Sequence, residues 1–144
     1  MGLQIPNYQD VGNGHGGDPA SITPAFTNLK NAGIQAAVVA ADPFFNNHRK
    51  PAVDGANNNG VATIYQWREF VDMGGLMSLG PNLSEGYKLA AIYTARILRG
   101  EQASNLPIIS LTNFELVINL STATNFGFSP IPESLLSRAN DIVV

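Results

Sequence analysis

Three glycines in the run GNGHGG, Gly12, Gly14 and Gly17, have the spacing of a loop that cradles a dinucleotide pyrophosphate. Asp42, farther along, stands where such a site places its ribose-binding acid. A working loop of this kind packs its last glycine into the start of a helix. Here Asp18-Pro19 follows, then Pro24, so the next helix begins several residues late. The run is therefore read as a flexible glycine loop. A Rossmann-like nucleotide-binding enzyme or sensor is the alternative. A second group of residues is richer. In ADPFF, Asp42 and Phe44 sit where an apolar strand ends; in YQWREF, Tyr65, Trp67, Arg68 and Glu69 leave the next strand. In an α/β sheet, ligands bind outside the carboxyl ends of the strands. Two neighbouring strands thus deliver these six residues to one rim. Aromatic walls with a few polar groups are how small-molecule sites are built. Phe45 and Phe70 are expected to pack on the flanking helices instead.

Other chemistries lack their residues. There is no cysteine, which excludes disulfides, thiolate metal sites and a cysteine nucleophile. His15 and His48 are the two histidines, and neither has a carboxylate or second histidine at ligand spacing, so no metal is expected. No Gly-x-Ser-x-Gly elbow is present, and the acids are too scattered for glycoside chemistry. No catalytic residue or cofactor is assigned. Asn82 and Asn119 each open an N-L-S triplet, and a helix cap and a strand end explain them better than glycosylation.

The elements that must position the rim read as follows. GLQIPNY is a short strand weakened by Pro6. TPAFTNLKNAG is a helix with Thr23 as N-cap, Pro24 at the first position, and Phe26, Leu29 and Ala32 inward. IQAAVVAA is an apolar strand, the pattern of one covered on both faces. KPAVDGANNN is a poor helix by propensity, assigned because the parallel strand VATIY needs a crossover. GLMSLG is a brief strand. Asn82 caps the best helix, NLSEGYKLAAIYTARILRG, with Glu85 three residues on and Gly100 as its stop. FELVINL is a strand, STATNFG a short helix and PESLLSRA a last helical turn. The alternation predicts an α/β fold, a parallel sheet flanked by helices.

The 144 residues are 44% hydrophobic and only 13% charged, against about 25% charged for a typical soluble domain. So little charge fits a chain that hides surface against a neighbour. With net charge −3 and only 8 Lys and Arg, no nucleic-acid partner is expected. No apolar run approaches the ~18 residues of a bilayer span. The start MGLQIPNYQD has neither the basic region nor the apolar core of a signal peptide.

The stretches ADPFFNNHR, YQWREFVDMGGLMSLGPNLSEGY, IYTARILRGEQASNLPI, FELVINLSTATNFG and IPESLLSRAND resemble one bacterial family, in order, from about residue 20 to the end. It is the substrate-binding proteins of ABC transporters with the type I periplasmic binding protein fold, in the branch linked to uptake of tryptophan or other amino acids. Members are about twice this length, so the chain looks like a C-terminal half with an incomplete lobe. The resemblance implies that residues 1–75 form lobe two, 76–105 a strand and helix of lobe one, and 106–144 the return to lobe two. Gly74 and Gly75 would serve the hinge. Asp42, Phe44, Tyr65, Trp67, Arg68 and Glu69 would face the inter-lobe cleft, with Ser78 and Asn82 near the crossing. Asp42 and Glu69 would accept from an ammonium group, Tyr65 or Trp67 would stack on the solute, and the first amides of the Asn82 helix would receive a carboxylate. The implied partners are a small solute such as an amino acid and a membrane permease, outside the cytoplasm. Helix 83–99, deprived of lobe one, would pair with a second copy. The family usually has tyrosine where Leu79 stands, which removes a hydroxyl from the cleft.

Overall fold

The computed structural model describes residues 17–144. The GLQIPNY strand and the glycine run, apart from Gly17, lie outside them. The order is α1 (Ile22–Asn31), β1 (Ala36–Val38), α2 (Pro43–Asn47), α3 (Arg49–Asn59), β2 (Ala62–Tyr65) and α4 (Arg68–Asp72). Then come β3 (Met77–Pro81), α5 (Leu83–Leu98), β4 (Phe114–Asn119), α6 (Leu120–Asn125), α7 (Glu133–Leu136) and β5 (Asp141–Val143). The strands form one sheet in the order β1-β2-β3-β4-β5.

The sheet is mostly parallel, with one exception. β1, β2 and β3 run parallel, as do β4 and β5, but β3 and β4 are antiparallel. The reason lies in the path of the chain. It leaves β3 at Pro81, passes through α5, and re-enters at Phe114, which pairs with Pro81 itself. β4 starts where β3 ends, so it must run backwards.

The core lies on one face of β2. Ile22 and Phe26 of α1 pack against Ala52, Val53 and Ala56 of α3, over Val61, Tyr65 and Phe70. α3 forms despite its glycine and asparagines because this packing outweighs propensity. Gly55 is required by it: a Cβ there would lie 2.7 Å from the Phe26 ring. Asn57 and Asn59 also find work, donating to the carbonyls of Gly74 and Gly55.

Several expectations change. Thr23 is not the N-cap of α1; Ser21 is, after a 3-10 turn capped by Asp18. The strand expected at IQAAVVAA shrinks to three residues at the sheet edge. It is not covered on both faces, since Val38 is 78% exposed. α2, α4 and β5 were not anticipated. α2 carries a plain signal: Asp42 Oδ1 accepts from Phe44 N at 2.7 Å, and Pro43 takes the first position. α5 keeps its cap, Asn82 Oδ1 accepting from Glu85 N at 3.2 Å. Asn119 caps α6 in the same way, accepting from Thr122 N. None of the α5 residues is buried.

Candidate functional site

β3 and β4 build the floor of the site. Side chains alternate across a strand, so Ser78 and Asn82 side with Val117 and Glu115, which pair with Ser78 and Gly80. Leu79 falls on the opposite face, half exposed. The β2–α4 connection forms the wall. A pocket opens between them, lined by Gln66, Trp67, Arg68, Glu69, Ser78, Asn82 and Glu115, among others.

Five of the eight expected residues meet there: Trp67, Arg68, Glu69, Ser78 and Asn82. Three do not. Asp42 spends its carboxylate on the α2 cap. Phe44 packs on the core with its ring against Phe45 and His48. Tyr65 is 2% exposed and stacks on Phe70, with ring centroids 4.7 Å apart. Its hydroxyl has no hydrogen-bond partner among the described residues. Burial pushes the phenol up, and the nearby Thr63 hydroxyl pulls it partway back. Parity explains the placement, because Thr63 and Tyr65 share the face of β2 that looks at α1 and α3.

Gly74 and Gly75 close the turn from α4 to β3. Gly74 has φ +97°, which favours glycine. Its carbonyl accepts from Asn57 Nδ2 and from Thr122 Oγ1, each at 2.9 Å. A Cβ on Gly75 would lie 2.8 Å from both the Phe70 carbonyl and the Tyr65 ring. The pair is held from several sides, in a tight corner between α4 and β3.

Gln66 and Glu115 belong to the site and were missed. Glu115 carried a signal, as the one acid in the apolar run FELVINL. Its Oε1 accepts from Asn82 Nδ2 at 3.0 Å, which joins the start of β4 to the cap of α5. Gln66 sits at the closest approach of wall and floor. A Cβ on Gly80 would overlap the Gln66 carbonyl oxygen. Gly80→Ala is therefore expected to push the β2–α4 connection off β3. The cost should be about 1–3 kcal/mol by chemical denaturation. The pocket amides should shift in NMR spectra, and an unperturbed variant would show that the approach is looser.

Arg68 is already engaged. Its guanidinium donates to Asp141 Oδ2 at 2.6 Å and reaches Asp72 Oδ1 at 3.4 Å. The Asp141 carboxyl is held below its usual range, first by Arg68 and then by the Ile142 amide. The folded state thus favours the ionised acid. This tie supports the fold above the ordinary carboxylate pKa of about 3.9 and is lost as pH falls through the lowered value. A carbon-detected NMR titration should place the Asp141 midpoint below about 3.9. In Arg68→Gln it should return toward that value; an unchanged midpoint would remove Arg68 as the cause.

A structural search finds similar chains at low identity. A conserved domain protein from Vibrio cholerae O1 biovar El Tor matches with a TM-score of 0.78 at 23% identity, over 87% of this chain and 42% of its own. An ABC domain from Streptococcus pneumoniae, in complex with L-Trp, matches with a TM-score of 0.78 at 20% identity, over 88% and 42%. A ligand-free, open substrate-binding protein with adhesive properties from Clostridium difficile gives 0.57 at 19%, over 89% and 42%. These share the fold, and the chain spans less than half the length of each. Among curated protein sequences, none matches. The family described as ABC transporter substrate binding protein matches residues 19–143. The chain belongs to that family. That family is a transport family and not an enzyme family. Among its described residues, no helix is long and apolar enough to cross a membrane.

Proposed function

We propose that this chain supplies one side of a solute-binding cleft that takes an amino acid for an ABC uptake permease, outside the cytoplasm. The observation that carries the reading is the pocket itself, where the antiparallel β3–β4 pair meets the β2–α4 connection. The first amides of α5, at Leu83 and Ser84, suit a carboxylate. Glu69 and Glu115 suit an ammonium group, and Trp67 supplies apolar surface. The chain divides at these strands. Residues up to Ser78 and from Val117 onward belong to one lobe, and α5 with residues 99–113 to the other. β3 and β4 carry the chain across, which moves the crossing later than Gly74 and Gly75. Titrating the isotope-labelled chain with L-amino acids tests the reading. The amides of Ser78, Glu115 and Ser84 should shift together; shifts confined to other residues would overturn it.

The exposure of α5 fits the same division. Tyr87 is 70% exposed and Leu98 83%, with Ile92 also open. In the longer family members the remaining lobe would cover them. In this chain alone, a second copy takes its place, since exposed apolar patches drive association. Sedimentation should find a dimer at about 100 μM, as expected for micromolar affinity. Tyr87→Lys with Leu98→Lys should return a monomer, and a monodisperse wild-type monomer would count against the pairing.

A further inference from the structure

We infer that Asp141 sets the charge preference of the pocket by engaging the Arg68 guanidinium, so that Glu69, Glu115 and Ser78 receive a cationic amine. This deepens the proposed function and rests on the site described there.

Two carboxylates engage one guanidinium at this edge of the sheet, and two more line the pocket beside it. Asp141 meets Nη1 of Arg68 and Asp72 meets its Nε. Glu69 and Glu115 line the pocket and form no ion pair among the described residues. The acids alone would say little, because exposed carboxylates are commonly just solvated. Ser78 adds an independent observation. It is 1% exposed, yet its hydroxyl makes no hydrogen bond among the described residues, although it lines the pocket. Buried hydroxyls are normally satisfied. A hydroxyl can accept from an ammonium hydrogen, and so can each carboxylate. An ammonium carries three donors, and Ser78, Glu69 and Glu115 offer three acceptor groups around one pocket.

Arg68 is the group that could reverse this preference. It lines the same pocket. Freed from its acids, it would present a planar fork suited to a carboxylate. Its restraint comes from Asp141 on β5, the last strand, outside the pocket lining. Asp141 is thus a positioning residue, and removing its charge should change what the pocket selects.

Three probes separate the possibilities: tryptamine, which has the amine alone; indole-3-propionate, which has the carboxylate alone; and L-tryptophan, which has both. Each is titrated into the labelled chain while the Ser78 and Glu115 amides are followed. Tryptamine should bind about tenfold more tightly than indole-3-propionate, a modest effect for partly screened charges. Asp141→Asn should shrink that ratio to about unity or invert it. In an Arg68→Gln background, Asp141→Asn should leave the ratio unchanged, which a merely structural role would not predict. Tighter binding of indole-3-propionate to the wild type, or a ratio indifferent to Asp141→Asn, overturns the inference and leaves the site standing. Silence of the pocket amides toward all three probes overturns the site, and the inference with it. Should Asp141→Asn prove unfolded, Asp141→Glu keeps the charge and should preserve the wild-type ratio; a changed ratio there counts against the assignment.

Discussion

Phe70→Ala will cost about 3–5 kcal/mol of folding stability, the range for truncating a buried aromatic ring. Phe70 is buried at the point where α4 meets the sheet. One side of its ring stacks on Tyr65 at an interplanar angle of 11°. The Arg49 guanidinium lies 5.8 Å from the ring centre. The Gly75 backbone closes over the same corner, with its amide donating to the Phe70 carbonyl at 2.9 Å. Little can collapse into the space, because the corner is fixed by backbone on one side and by Gly74 on the other. A domain of this size holds only about 5–15 kcal/mol in total, so the variant should be marginal. Phe70→Leu keeps most of the apolar bulk and loses the ring contacts, worth about 1 kcal/mol. Urea denaturation measures both. A loss below about 1 kcal/mol for the alanine variant would mean that the ring is peripheral to the core.

Amino-acid binding to this chain alone should be at best roughly millimolar. Take an intact two-lobed protein that binds at about 1 μM, near −8 kcal/mol. If its contacts divide evenly, one side supplies about −4 kcal/mol, which corresponds to about 1 mM. Translational freedom is lost in full whichever half binds, so the measured value should be weaker still. Glu115, Ser78 and the start of α5 should respond first, because they form the floor. Calorimetric saturation at micromolar concentration would instead show that the pocket is complete without further residues.

Much of this arrangement could be read from residue order. The cap at Asn82, the crossover before VATIY and the glycine stop at Gly100 are local signals, and local signals survive tertiary context. The rim was half legible. Strand ends bring Trp67, Arg68 and Glu69 to one side of the pocket, and that argument needs only the sheet. It could not place Tyr65, since alternation says that Thr63 and Tyr65 share a face without saying which face is covered. Asp42 lies outside the pocket for a different reason. Its carboxylate has a partner two residues away, and a local cap outcompetes a distant ligand role. The direction of β4 was invisible, because it depends on where the chain returns after α5, and no short window contains that. Ser78 and Asn82 came from family resemblance alone.

The β3–β4 pair imposes a restriction on movement. Five residues of one strand are matched to five of the other, from Met77 with Ile118 to Pro81 with Phe114. Sliding one strand along the other by even one residue would break every rung and turn each side chain to the wrong face. A part of the molecule carried on these strands therefore cannot translate past the sheet. The motions left to it are bending and twisting of a two-stranded ribbon, with both strands moving together. Any closing over the pocket would then be an angular swing about an axis across β3 and β4, with its pivot in the floor of that pocket.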